Sequence, residues 1–338
     1  MHEKLVKPPA LKPGSTIKII APSTSTTTAR GLATAVRFMQ KEGFRVSLSK
    51  SMTSESTTRF LTAGDAIRKQ ELENAFRSSS VDGIMVMQGG AGSIDILSRI
   101  DYDVVRDNPK VFIGYSDITL LQLAFMRKAH MVSFQGPMLI DLTDDDADVR
   151  PYNWSTLTGV VSRGEALTLK NPADGNWSRT VVEGDARGVL QGGNLSVYAL
   201  VANTSYMPDP EGSILFFEDV NVEPWMVDNL LSSLVLKGVL KKANGVFFGE
   251  FPNYALEGAL ESHGASSYLS GNLFVEDYIK SALSSSISDT LTNKAPGKPS
   301  FIEFSCCHGK HITTIPLGIR AELNAEERSV QMLESAVD

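Results

Sequence analysis

Val111-Phe-Ile-Gly-Tyr-Ser-Asp-Ile-Thr-Leu-Leu-Gln-Leu123 is the stretch on which the reading of this chain turns. A β-branched and aromatic run ends at Gly114, and an apolar-periodic stretch carrying Ile118, Leu120, Leu121, Leu123, Phe125 and Met126 follows. The pattern predicts a strand, a tight turn and a helix. Ser116 then stands at the reversal with its hydroxyl exposed, above a helix start whose N–H groups are unpaired and partly positive. A nucleophilic serine needs such access and such donors for an oxyanion. Asp117 or Thr119 would equally serve there as a helix cap, and the local pattern by itself favours that plainer role.

Outward from this turn, apolar runs alternate with helical patterns. Strands are predicted at residues 16–22, 44–48, 81–87 and 131–134, and helices at 29–42, 66–76 and 94–100. Such alternation implies βαβ units and a parallel sheet with helices on its faces. Ligands of such sheets bind beyond the strands' carboxyl ends. The loop Gln88-Gly89-Gly90-Ala91-Gly92 follows one strand end and Ser116 another, so they are expected to share a crevice. After Asp141 the texture changes. Asp144-Asp145-Asp146 and Arg150-Pro151 suggest a solvated linker, and from about residue 167 the predicted strands are short and turn-separated, with one good helix at 224–236. The expected division is a nucleophile domain over 1–160 and a β-rich α/β domain over 161–338. A Ser-, Gly- and Asn-rich surface insertion is expected at 255–299.

Composition bounds the function. The chain has 338 residues, 42% of them hydrophobic and 21% charged, with a net charge of −7. That is a globular composition long enough for two domains, and its acidity and lack of a basic stripe exclude a nucleic-acid partner. No apolar run approaches a membrane span, and the first residues lack the apolar core of a signal peptide. The two cysteines, Cys306 and Cys307, are adjacent and provide no disulfide framework. A reduced, cytoplasmic protein is expected.

Candidate chemistry is sparse. The glycine loop lacks both the Gly-Lys-Ser/Thr and the G-x-G-x-x-G pattern of phosphate binders, and is either a backbone approach to substrate or a plain tight turn. There are five histidines. His308 and His311 have H-x-x-H spacing, but no H-E-x-x-H helix supports a metal. A serine nucleophile needs an imidazole oriented by a carboxylate. Glu218 ends the very apolar run Ile214-Leu-Phe-Phe217, so it should be buried and in need of a partner, for which a neutral imidazole N–H or an Arg would serve. Asp219 is the alternative. The order Ser, acid, His also occurs in α/β-hydrolases, but Ile118 replaces the second glycine of their G-x-S-x-G elbow.

Phe112-Ile-Gly-Tyr-Ser116-Asp-Ile-Thr119 closely resembles the nucleophile motif of the LD-carboxypeptidase family of serine peptidases, which includes murein tetrapeptide carboxypeptidases and microcin C self-immunity proteins. Ile19-Ile-Ala-Pro-Ser23, Phe134-Gln-Gly-Pro-Met138, Gln191-Gly-Gly-Asn-Leu195, Leu215-Phe-Phe-Glu-Asp-Val220 and His308 ahead of Pro316-Leu-Gly318 extend the similarity along most of the chain. The resemblance implies Ser116 as nucleophile, His308 as general base and acid, Glu218 as orienting carboxylate, and the N–H groups of Gly90 and Asp117 as oxyanion donors. It also implies an interdomain cleft, a homodimer, no cofactor and no metal, and a small substrate: a murein peptide losing terminal D-Ala, or an aminoacyl-nucleotide conjugate.

The departures from the family pattern concern specificity. Murein carboxypeptidases typically read Arg-Gly-Gly-Tyr-Gly and then another Arg, where this chain has Gln88-Gly89-Gly-Ala91-Gly and Asp95. That loop therefore offers a substrate carboxylate no cation. Cys306-Cys307 stand where Phe-Gly is usual, Gln135 replaces a frequent His, and Trp177 lies where immunity members carry a base-stacking aromatic. Gln88, Gly89, Ala91, Asp95 and Trp177 are the expected substrate contacts.

Overall fold

The computed structural model describes residues 4–24, 28–53, 61–143, 146–164, 166–172, 178–252 and 282–338. They build two sheets. In the first, β1 (Thr16–Ile20), β2 (Arg45–Leu48), β3 (Gly83–Val86), β4 (Val111–Gly114) and β5 (Ser133–Gln135) lie parallel in the order β5-β4-β3-β1-β2. Every residue of β3 and β4 is buried, as expected of central strands covered on both faces. Helices α1 (Ala29–Lys41), α2 (Asp65–Arg77), α3 (Ser93–Leu97), α4 (Tyr102–Asp107) and α5 (Thr119–Ala124) follow their strands. Only α4 has no counterpart in the sequence reading.

The helix α6 (Val149–Val161) corrects the reading of Arg150-Pro151 as linker. Pro151 falls in the first turn, where its missing N–H would have no intrahelical partner, and Asn153, Trp154 and Leu157 are buried. The helix's apolar residues fill the space that a linker would leave to water.

The second sheet is mixed. Parallel strands β8 (Asp185–Asn194), β9 (Ser213–Glu218), β10 (Gly245–Gly249) and β11 (Ser300–Phe304) form its centre. β7 (Arg179–Val182) lies antiparallel on β11 at one edge. At the other, β13 (Arg320–Asn324), β14 (Ser329–Met332) and β6 (Thr168–Leu169) continue antiparallel from β8. Helices α7 (Leu195–Val201), α8 (Pro224–Leu236) and α9 (Val239–Lys242) belong to this half. Stacked rings of Phe216, Phe247 and Phe301, with centroids 5.3 and 5.4 Å apart, run across its parallel strands.

The architecture is thus α/β in both halves, parallel in the first and β-rich in the second. One strand crosses over: β12 (Ile315–Leu317) leaves the second half and pairs antiparallel with β5, as the outermost strand of the first sheet. Part of the expected insertion, residues 255–281, lies outside the described residues. In the remainder, Leu283, Ile287 and Leu291 are buried in the core rather than displayed on a surface excursion.

Candidate active site

Strand β4 delivers the chain to its carboxyl end with Tyr115 extended, and Ser116 then turns at φ 65°, the left-handed region that non-glycine residues avoid. A short 3-10 turn, Ser116–Ile118, leads into α5. Such strain persists only where its surroundings enforce it. The side chain of the next residue, Asp117, is anchored. Its carboxylate accepts from the Ser23 hydroxyl at 2.5 Å and the Ser93 N–H at 2.9 Å. The loops after β1, β3 and β4 are therefore joined at one buried carboxylate. Asp117 does cap a helix, but that helix is α3 rather than its own.

Gly89 packs its α-carbon against the serine. A Cβ there would lie 2.8 Å from the Ser116 Cβ and 3.0 Å from its Oγ. The Gly89 carbonyl accepts from the Thr24 N–H at 3.3 Å. In a trans peptide the following N–H points the opposite way, so the Gly90 N–H faces away from Thr24.

The second half brings a histidine to this turn. Residues 305–314 run from β11 in one sheet to β12 in the other, and His308 lies on that crossing. His308 Nδ1 lies 2.5 Å from Glu218 Oε2, at the carboxyl end of β9. Glu218 is completely buried and His308 nearly so, with a side-chain exposure of 15%. Asp219, the alternative acid, is engaged elsewhere: it accepts from Asn194 Nδ2 at 2.9 Å and from the Ser196 hydroxyl at 2.6 Å, holding the start of α7. Burial alone would depress the imidazole's pKa. The charge and hydrogen bond of Glu218, with Asp219 and Asp141 behind it, outweigh this and raise it above the ordinary 6.5.

A cleft of about 670 Å³ joins these parts, with Gln88, Gly89, Gly90, Tyr115, Ser116 and His308 in its wall. Of the other expected contacts, Ala91 and Asp95 are absent from that wall, and Trp177 lies outside the described residues. The Asp95 carboxylate lies 3.8 Å from the guanidinium of Arg68, an attraction that accounts for its position beside the loop. Gln135 lies beneath the cleft, donating to Thr119 Oγ1 at 3.0 Å and Gln122 Oε1 at 2.6 Å. Cys307 also lines the cleft, its Sγ 3.6 Å from Gln135 Oε1.

Two residues in the wall were missed in the sequence. Asp141 accepts from the Tyr115 hydroxyl at 3.0 Å and the Met138 N–H at 2.7 Å, and burial pushes its carboxyl up to about 6. The Tyr115 ring in turn meets His308 edge-on at 5.0 Å. Asp141 had marked only a change of texture, and its position just after Phe134-Gln-Gly-Pro-Met138 was the available signal. Lys310, between His308 and His311, is the second, and no sequence pattern marks it. Among the described residues no group of three or more His, Cys, Asp or Glu could hold a metal ion.

Residues 17–136 match the LD-carboxypeptidase N-terminal domain and residues 187–323 its C-terminal domain. The chain belongs to the LD-carboxypeptidase family. It is 31% identical over 332 residues to the probable murein peptide carboxypeptidase of Bacillus subtilis, covering 98% of this chain and 95% of that one. It is 24% identical to the microcin C7 self-immunity protein MccF of Escherichia coli, covering 98% and 96% of the two. Among solved structures it is similar to an MccF-like protein from Bacillus anthracis, with a TM-score of 0.79 at 27% identity over 97% of this chain and 99% of that one.

Proposed function

We propose that this LD-carboxypeptidase family member is a serine carboxypeptidase that releases terminal D-Ala from murein tetrapeptides, with Ser116 as nucleophile, His308 as base and Glu218 as its orienting acid. The observation that carries the reading is the 2.5 Å contact between Glu218 Oε2 and His308 Nδ1 in a cleft that Ser116 also lines. Glu218 accepts from Nδ1–H, which leaves Nε2 as the acceptor on the opposite side of the ring. Ser116 Oγ–H donates its proton to Nε2 as Oγ attacks the peptide carbonyl. The N–H groups of Gly90 and Asp117 hold the oxyanion, each such donor contributing about 10²–10³ in rate. His308 then returns the proton to the leaving amine, and water hydrolyses the ester by the same steps in reverse.

Cys307 is the competing nucleophile in the wall. Burial drives its thiol well above the ordinary value, so at neutral pH it is protonated and unreactive. The names of the relatives also support a small amide substrate. A second reading, hydrolysis of an aminoacyl-nucleotide conjugate, is favoured by the likeness to MccF and by the uncharged loop at Gln88. A homodimer acting in cytoplasmic peptidoglycan recycling is part of the leading proposal.

The test combines turnover with labelling. Purified protein should release D-Ala from UDP-muramyl tetrapeptide and be acylated by a fluorophosphonate at Ser116. Ser116→Ala should abolish labelling and lower kcat by about 10⁴ or more. Unlabelled Ser116, with Ser116→Ala as active as wild type, would refute the serine mechanism. Turnover of an aminoacyl-sulfamoyl adenosine without D-Ala release would favour the second reading.

A further inference from the structure

A carboxypeptidase must distinguish a chain end from an internal amide, and the end is marked by a free carboxylate. The glycine loop carries no cation for it. Arg68, beneath that loop, is fully buried and donates to the carbonyls of Ala63, Pro22 and Gly92, and to Asp65. The carboxylates near this turn are Asp141, in the cleft wall, and Glu250, close to Gly309. An anionic substrate end would be repelled without a compensating charge. Among the described residues lining the cleft there is a single lysine or arginine, Lys310.

We infer that Lys310 binds the free carboxylate of the residue that leaves. The inference rests on the peptidase reading above, and the position follows from the chemistry. His308 must protonate the leaving nitrogen, so that nitrogen sits at the imidazole. The carboxylate is borne by the carbon attached to it. Lys310 follows His308 on the same turn, which is closed by the Gly309 N–H donating to the Cys306 carbonyl at 2.9 Å. The lysine thus lies beside the imidazole that would face the leaving group, in the wall of the same cleft. Its side chain is 70% exposed, and among the described residues its ion pair is a 4.0 Å contact with Asp146. An exposed pair of that length is weakly held, so the ammonium can exchange Asp146 for a substrate carboxylate. A flexible stem with a point charge suits a small carboxylate that enters and departs each cycle. Lys310 is thus a specificity residue that lies outside the glycine loop.

The test uses a murein tetrapeptide ending in D-Ala, as the free acid and as the C-terminal amide. In turnover by the wild type the acid should be preferred. Lys310→Met should lower kcat/KM for the acid by about 30–100-fold, mainly through KM, and leave the amide within a few-fold. Lys310→Arg should recover most of the loss. An unchanged preference in Lys310→Met, or equal losses on acid and amide, would overturn the assignment. Calorimetric binding to Ser116→Ala, with and without Lys310→Met, separates this from the reaction itself. If the wild type turned over neither tetrapeptide, the function would fall. A Ser116→Ala variant that bound the acid more tightly only while Lys310 was present would still support the assignment, and one without that preference would refute it. An effect of Lys310→Met confined to an aminoacyl-sulfamoyl adenosine would also refute it, by making the anion the nucleotide's.

Discussion

Ser116 follows a strand of the first sheet and His308 lies on the crossing from the second, and in the proposed mechanism the charge on the imidazole decides when they can react. A protonated His308 cannot take the serine's proton, so kcat/KM should rise with pH through the pKa of His308, which lies above 6.5. Glu218 contributes most to that elevation, and burial opposes it. Replacing Glu218 by Gln removes the charge and keeps the burial. The acid limb of the pH–rate profile should then move below 6.5, and kcat should fall by about 10⁴ as the ring loses its oriented tautomer. Asp141→Asn should move the limb in the same direction by less than about one unit, since Asp141 acts from farther away. Profiles from the three proteins decide the matter; a limb that moved upward in Glu218→Gln would contradict this electrostatic account. The linkage to folding has the matching sign. An imidazole whose pKa rises on folding adds stability below about 6.5, and that stability is lost as pH passes the folded value.

The elements around the site were legible where burial is local and hidden where it depends on distant partners. β3, β4 and α8 could be read because their apolar runs are uninterrupted and their ends are marked by Gly or Pro. β8 runs from Asp185 to Asn194, longer than the short strands expected in this half, because Gln191-Gly-Gly-Asn194 is a strand without strand-like residues. Its glycines exist for contact. Gly192 pairs in register with Phe216 of β9, has φ 145°, and a Cβ on it would come within 1.9 Å of the Phe216 carbonyl oxygen. That oxygen belongs to a central parallel strand and has nowhere to move. Gly192→Ala should therefore destabilise by more than about 4 kcal/mol, seen as loss of soluble protein or a large fall in the denaturation midpoint. A midpoint within error of wild type would show that β8 and β9 can separate locally. At the site itself, the convergence of Ser116, Glu218 and His308 was expected from motif order. Lys310 and the pinning role of Asp117 were not, since both depend on which loops the sheets bring together.

Two lobes joined by a linker would unfold separately, but this chain is laced across its own division. Ile315 and Leu317 of β12 are buried in the first sheet, while the Gly318 N–H and Ile319 carbonyl bond to Leu190 of the second at 2.7 and 2.9 Å. The Ala10 N–H donates to the Asp338 carbonyl at 2.9 Å, and the Asp338 N–H to the Pro8 carbonyl at 3.0 Å. His308 hangs on the segment that feeds β12, so placing the proposed base and joining the lobes are one structural act. The lobes should therefore unfold together. Trp154, buried between Phe38 and Phe44, reports on the first lobe. In a variant with Trp177 and Trp225 changed to Phe, its fluorescence transition in urea should coincide with that of far-UV circular dichroism. Leu317→Ala removes a buried side chain from the crossing strand, at a cost of about 2–5 kcal/mol, and should shift both probes to lower urea by the same amount. A shift in Trp154 fluorescence alone would mean that the lobes are independent. The histidine's position would then need another explanation than the strand that follows it.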